Sequence, residues 1–411
     1  MMEKDLVVIG GGPAGLAAAL KAREKGLKDI LIVERGDHLG GILNQCIHDG
    51  FGVEIFKQAL TGPEYAHRYI EEVNEGNIEC ITNATVTELS KDRILKIVSP
   101  MGFLKIKAKA VVLTTGCRER TREMIKIPGT RPAGVYTAGC VQNLMNLGGR
   151  MPGKKVVILG SGDIGLIMAR RLTLEGAQVL AVLELLPYSN GLKRNIVKCL
   201  EDYDIPLMLS HTVVEIKGAK RLASVKIARV DENLKPIKAS ERMLKCDTLL
   251  LSVGLIPENE LAEKAGVEMD EKTGGPCVNE FNETSVEGIY AAGNALQVHD
   301  LADWATLEGE NAGLHAAEYA IRGVRGNRKL KTAAGNGVRQ LVPQYYSGKQ
   351  DLLLTLRVSK PEKNKNLIIR DGDRMIKKTF HKELIPSEMI RLKMTKEEIE
   401  NTGGLTADVE A

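Results

Sequence analysis

One module occurs twice in this chain, and it limits the fold more than any other feature. Asp5 to Ile9 is a short, mostly apolar run that ends in Gly10, Gly11 and Gly12, and Pro13 to Lys25 continues as a helical stretch rich in small residues. A second apolar run, Ile30 to Val33, ends in Glu34. The layout returns as Lys155 to Leu159, then Gly160, Ser161 and Gly162, a helical stretch through Arg171, and Gln178 to Leu183 ending in Glu184. Gly10, Gly12 and Gly15 are matched by Gly160, Gly162 and Gly165, and the acid follows the first glycine by 24 residues both times. Strand, glycine turn, helix and strand in this order predict two parallel βαβ units.

In such a unit the first glycine makes a tight turn, the second lets the backbone approach a pyrophosphate, and the third lets the helix pack on the strand. The pyrophosphate sits on unpaired N–H groups at the positive end of the helix. The alternative is that the glycines only turn the chain. The dinucleotide reading assigns Gly10, Gly12, Pro13, Ala14, Gly15, Glu34 and Arg35 to one site, and Gly160, Gly162, Asp163, Ile164, Gly165 and Glu184 to the other. Each acid would accept hydrogen bonds from an adenosine ribose and repel a 2′-phosphate, so the second site is expected to prefer NAD(H) to NADP(H).

Each module runs on into a β-rich meander that closes on an apolar strand and a glycine: Val111 to Thr115 with Gly116, and Thr248 to Val253 with Gly254. A later strand, Gly288 to Ala292, is followed by Gly293, Asn294 and a helical pattern from about Leu301, and is expected to return to the first fold. The expected division is 1–117 and 255–325 for a discontinuous first domain, 118–254 for the second, and 326–411 for a small C-terminal domain. In that last part 326–337 reads as a loop, while Leu352 to Val358 and Leu367 to Ile369 read as strands.

Composition narrows the class. With 411 residues, 43% hydrophobic and 27% charged, the chain is globular and large enough for two or three domains. A net charge of +4 gives no reason to expect nucleic-acid binding. The positive excess lies from 326 onward, with 17 Lys+Arg against 11 Asp+Glu, which is either a solvated basic face or a docking surface for an acidic partner. Seven cysteines without a C-x-x-C pair exclude zinc-finger, ferredoxin and thioredoxin-type dithiol frameworks. Scattered thiols, no signal-peptide pattern and no apolar stretch near 18 residues point to the cytoplasm and away from membrane insertion. No metal site is expected.

With these motifs the chain resembles the flavoproteins with two dinucleotide-binding domains, which include thioredoxin reductase and the pyridine nucleotide-disulphide oxidoreductases. The resemblance covers residues 1 to about 325. It implies an α/β, glutathione reductase-like fold of two Rossmann-like domains plus a small β-rich C-terminal domain. It also implies that the first fold binds FAD, the inserted fold binds NAD(H), and hydride passes between nicotinamide and flavin. Thr114, Thr115 and Gly116 match the family's closing T-T-G, and Gly288 to Asn294 match the motif that holds the FAD ribityl chain. Asn294 stands where the family has Asp, keeping an acceptor oxygen and losing the charge.

The chain departs from the disulphide reductases in having no cysteine pair. Where a pair would lie it reads GGILNQCIH, and Gly41 would let this loop approach the flavin while Cys46 or His48 faced the ring as a redox or acid-base group. The alternative is that both are packed structural residues. Cys140, in VYTAGCVQ, resembles a segment of the FAD subunits of opine, sarcosine and amino-acid dehydrogenases, and is read as packing. By resemblance the helix opened by His299 to Trp304 points its N-terminus at the flavin; Asp300 is expected to cap it, the alternative for His299 or Asp300 being a substrate acid or base, and Trp304 is expected to be core.

GGILNQCIHDGFG, LTGPEYA, VHDLADW and Pro386 to Met389 also look like the oxidoreductases of anaerobic bacteria that accompany a glycerol-3-phosphate dehydrogenase-type flavoprotein. That implies a component of a complex, passing electrons to a second flavoprotein or other electron-transfer partner. Two rival readings remain: an FAD subunit of a multi-subunit amine, opine or glycerol-3-phosphate-type dehydrogenase whose second fold binds an adenine nucleotide without hydride transfer, and a non-catalytic electron conduit.

Overall fold

Leu6, Val7, Val8 and Ile9 are all buried, and a run buried on both faces belongs in the middle of a parallel sheet covered on both sides. The computed structural model, which describes residues 1–323 and 330–410, places them there. β1 (Met2–Ile9), α1 (Pro13–Glu24) and β2 (Ile30–Val33) form the first unit of strand, helix and strand. They are followed by α2 (Gly62–Glu75), β3 (Glu79–Ile81), β4 (Thr85–Leu89), β5 (Ile94–Ser99) and β6 (Gly102–Leu113). β1 pairs in parallel with β2 on one side and β6 on the other. Alternate residues divide between the faces: Leu6 and Val8 join one core cluster, Val7 and Ile9 the other.

The chain separates into two compact units, Met1–Cys117 with Pro257–Ala411, and Arg118–Ile256. The second contains β7 (Val135–Thr137), α3 (Ala138–Asn146), β8 (Lys155–Leu159), α4 (Asp163–Leu174) and β9 (Gln178–Leu183). After α5 (Lys193–Cys199) come β10 (Leu207–Met208), β11 (His211–Gly218), β12 (Leu222–Arg229), β13 (Arg242–Lys245) and β14 (Thr248–Leu251). Its five-stranded parallel sheet runs β7-β14-β8-β9-β10, beside an antiparallel sheet of β11, β12 and β13.

Back in the first unit, β15 (Ile289–Ala291) pairs in parallel with β6 and completes a seven-stranded sheet, β3-β2-β1-β6-β5-β4 with β15 on β6. α6 (Ala302–Arg322) then packs on α1 with almost no gap. A Cβ at Gly309 would lie 2.2 Å from the Ala14 carbonyl oxygen, and one at Gly313 2.1 Å from that of Ala18. Small residues spaced four apart on both helices permit this approach.

The remaining strands are β16 (Leu330–Ala334), β17 (Val338–Val342), β18 (Tyr345–Tyr346), β19 (Leu352–Val358), β20 (Glu362–Asp371), β21 (Arg374–Leu384), β22 (Ile390–Met394) and β23 (Leu405–Glu410). They form a five-stranded sheet, β18-β16-β23-β20-β21, and a three-stranded one, β17-β19-β22, around their own apolar core. The loop expected over 326–337 needs correcting, because Leu330–Ala334 is a strand that pairs with Leu405–Ala407 and with Tyr345–Tyr346. Those partners are distant in sequence, so no local pattern announces it. The start of that loop and the boundary expected at 325/326 lie outside the described residues. The tail joins the first unit's core through Val342 and through Gln344 Oε1, which accepts from the Val278 N–H at 3.0 Å.

Candidate functional site

The predicted first-site residues converge at the C-terminal ends of β2, β1, β6 and β15. This is the edge where the chain leaves β1 in opposite directions along the sheet, the usual binding crevice of such folds. Gly10 has φ +109°, and a Cβ on it would lie 2.3 Å from the Thr114 carbonyl oxygen. A Cβ at Gly15 would lie 1.9 Å from the Gly10 oxygen, whereas one at Gly12 would meet nothing within 4 Å. The two flanking glycines are therefore pressed into protein while the middle one faces open space. α1 begins with Pro13 after Gly12 and has neither a side-chain cap nor an acid in its first turn. An open glycine ahead of an uncapped, acid-free helix start fits a pyrophosphate.

Glu34, 9% exposed, fastens the loop. Its two carboxylate oxygens accept from the Gly11 and Gly36 N–H groups, each at 2.7 Å, while Arg35 beside it is exposed. Thr114 Oγ1 donates toward the Ile9 and Gly10 carbonyls, and Thr115 Oγ1 donates to the Glu258 carbonyl at 2.6 Å; Gly116 follows with φ +73°. The loop carrying Gly41 crosses the first glycine loop: the Gly40 N–H donates to the Gly11 carbonyl, and a Cβ at Gly41 would lie 3.1 Å from Gly12 Cα. Cys46 is buried with its thiol 3.3 Å from the Ile42 carbonyl oxygen, and the His48 ring lies against Phe51.

At the late motif, a Cβ on Gly293 would lie 2.8 Å from that of Ala14, which sets Gly293 and Asn294 against the start of α1. Asn294 Oδ1 accepts from the His299 N–H at 2.9 Å. The carboxylate missing from position 294 has a neighbour that the sequence did not reveal. Glu308, in α6, accepts from the Gly293 N–H at 2.7 Å and from Gln297 Nε2 at 2.9 Å, with His299 Nε2 at 3.5 Å. Asp303, 1% exposed, accepts from the Gly52 and Ile55 N–H groups, tying α6 to the loop after Cys46. Burial raises the pKa of the Tyr65 hydroxyl, which stays a donor to Thr306 Oγ1 at 2.8 Å and ties α2 to α6.

Two expectations change here. Asp300 does not cap α6, whose N-cap is Leu301 without a side-chain bond; the tail claims its carboxylate, through the Met389 N–H at 3.1 Å and Arg357 at 3.4 Å. Trp304 is only partly buried and lies under the Arg391 guanidinium, 3.9 Å from the ring centroid.

In the second unit Gly160 and Gly165 are also pressed close. Cβ atoms there would lie 2.0 Å from the Ser252 carbonyl oxygen and 2.7 Å from Ser252 Cβ, and the Gly165 N–H donates to Ser252 Oγ. Gly162 is the N-cap of α4, with Asp163 and Ile164 in the first turn. Glu184, 4% exposed, accepts from the N–H and hydroxyl of Ser161 at 3.0 and 2.6 Å, and from the Leu186 N–H at 3.0 Å. Ser161 stood inside the glycine motif but carried no expectation. Asp163 accepts from the Leu192 N–H and Asn195 Nδ2, so residues 189–195 are fastened beside the loop.

Cys140 is exposed, which corrects its reading as a packing residue. α3 buries Ala138, Val141, Gln142 and Met145 and leaves position 140 on the outer side. Partial desolvation and Glu119 raise its pKa, which lowers its reactivity at neutral pH. None of the seven cysteines is joined in a disulphide. Among the described residues no cluster of acids, histidines and cysteines could hold a metal, and no helix is long and apolar enough to cross a membrane.

A sequence model described as pyridine nucleotide-disulphide oxidoreductase matches residues 4–309. A component of the opine oxidase of Agrobacterium tumefaciens (strain Ach5) is 26% identical over 334 residues, 76% of this chain and 65% of that protein. A component of the alkyl hydroperoxide reductase of Staphylococcus aureus (strain MRSA252) is 25% identical over 327 residues, 77% of this chain and 59% of that protein. The chain thus spans less than two thirds of either relative. Among solved structures, thioredoxin reductase of T. acidophilum superposes with a TM-score of 0.65 at 23% identity, covering 78% of this chain and 100% of that one, a likeness of fold.

Proposed function

The chain belongs to the pyridine nucleotide-disulphide oxidoreductase family, whose cofactors are FAD and NAD(P)H, and we propose that within it this protein is an NADH-preferring oxidoreductase whose electrons leave for a partner protein or small acceptor. The observation that carries this reading is the repeated arrangement of glycine loop and carboxylate at the ends of two separate parallel sheets, in a chain without a C-x-x-C pair. When bound, FAD supplies a two-electron centre and NADH the hydride. The chain's own part is positional. Gly12 and the start of α1 would take the FAD pyrophosphate, Glu34 its adenosine ribose, and Gly162 and Glu184 the corresponding groups of NADH. A carboxylate at 184 loses hydrogen bonds and gains repulsion against a ribose phosphate. Cys46 and His48 are the candidates for a role in reoxidation. A partner is supported by the names of the two relatives, both of them subunits of larger enzymes.

Anaerobic mixing of the purified yellow protein with NADH tests the proposal. The flavin should bleach, more efficiently than with NADPH at low concentration, and Cys46→Ser should bleach as well. Glu184→Ala should erode the preference by ~1–3 kcal/mol, roughly ten- to a hundredfold. Protein that releases no flavin on denaturation refutes the reading. A flavin that NADH does not bleach would move the assignment to an FAD subunit whose second fold holds an adenine nucleotide without hydride transfer.

A further inference from the structure

Arg391 comes from the tail strand β22, yet its guanidinium lies over Trp304 in the first turn of α6, 3.9 Å from the ring centroid. Among the described residues no hydrogen bond or ion pair holds it. Burial is the largest influence on its pKa and lowers it, with Glu308 and Glu54 acting in the opposite sense from farther away. Neither carboxylate closes on the guanidinium: Glu308 is occupied by the Gly293 N–H and Gln297 Nε2, and Glu54 is exposed. A half-buried guanidinium with five donors and no acceptor is costly until an acceptor arrives. Contact with an indole face holds the group in place and leaves N–H donors free for a bidentate anion.

A second group points the same way. His299, with its side chain 3% exposed, turns Nε2 to Glu308, while its other ring nitrogen, Nδ1, is buried without a hydrogen-bond partner. Trp304 and Glu308 are four residues apart on α6 and share a face. One helix face near the Gly293–Asn294 motif therefore gathers a cation on which no carboxylate closes and a buried imidazole with an unpartnered nitrogen.

We propose that Arg391, laid on Trp304, is the anion-binding residue of a substrate subsite in the first unit, taking a small organic molecule by its carboxylate or phosphate group. Its role in turnover rests on the reading of this unit as an FAD domain; the binding itself does not.

Trp304 is the single tryptophan of the chain, so its emission reports on this place alone. The holoprotein is titrated with inorganic phosphate, acetate and chloride at constant ionic strength while tryptophan emission is followed, and flavin content is measured separately after denaturation. Phosphate or acetate should change the emission saturably and chloride should not; the responding anion identifies the group. Arg391→Gln should weaken the apparent affinity about tenfold or more, and Arg391→Lys, which keeps the charge without the fork, should fall between. A flat titration in the wild type, an equal response to chloride, or unchanged affinity in a folded, flavin-loaded Arg391→Gln protein overturns the subsite. Absence of flavin with anion binding intact would instead defeat the FAD reading.

Discussion

The two glycine loops share their spacing and their acid, yet they are built differently. The first is assembled from distant pieces: β1 and β2 from the start of the chain, β6 from beyond residue 100, and β15 and α6 from near residue 300. The tail buttresses it where Gln297 Nε2 meets Thr355 Oγ1 at 2.9 Å and Arg357 donates to the Val298 carbonyl at 3.0 Å. The second is made within one continuous stretch, Arg118–Ile256. Their helix starts differ as well. α1 has no acid in its first turn, whereas α4 begins with Asp163, whose carboxylate is spent on Leu192 and Asn195. Equal spacing therefore fixes the backbone turn, while the surroundings decide how much of the helix end is left to a ligand.

The sharpest way to break this contrast is to end the chain at Gly323. Truncation removes Val342 from the first unit's core together with the Thr355 and Arg357 contacts. We expect loss of flavin and of solubility, whereas residues 118–256 expressed alone should still unfold cooperatively. Flavin per chain and urea melts of the two products check this, and a truncated protein that stays yellow would show that the tail is dispensable.

A smaller difference should separate Gly15→Ala from Gly165→Ala. The first sets a methyl 1.9 Å from the Gly10 backbone oxygen, the second 2.7 Å from Ser252 Cβ, a smaller overlap that a smaller backbone shift relieves. Overpacking of this kind costs about 1–3 kcal/mol, so Gly15→Ala should lose flavin affinity while Gly165→Ala keeps its flavin and loses only part of its NADH affinity. Flavin content and NADH titration distinguish the two, and equal damage at both sites would count against the comparison.

The mildest effect concerns acid. His315, on α6, has its pKa lowered chiefly by burial, against the opposing effect of its hydrogen bond to the Glu318 carboxylate. Its folded value lies below its unfolded one, so the unfolded chain binds more protons as pH falls through the ordinary histidine range. Its contribution to stability is complete above that range and is lost below it. The first unit should weaken between about pH 7 and 5, and His315→Asn should flatten that slope. Urea midpoints at both pH values measure it; a slope unchanged by the substitution would place the proton elsewhere.

Much of the molecule was legible in the residues themselves. β2, β8, β9 and β19 match their apolar runs end for end, because a short apolar segment flanked by glycine or acid has few places to go besides a buried strand. The flanking glycines Gly10, Gly15 and Gly160 were equally plain, since a close backbone approach there excludes every other residue. Long-range contacts were not. β16 is a strand because β18 and β23 pair with it, Asp300 serves the tail and not its own helix, and Cys140 faces outward because its helix buries a different side. The partnerships of Ser161, Asp303, Glu308 and Arg391 also follow from folding, which brings side chains together across sequence gaps that no local spacing encodes. Two dinucleotide folds and their acids are thus written in the residues alone, whereas their surroundings are set by tertiary contacts, because burial and hydrogen bonding there depend on which distant segments meet.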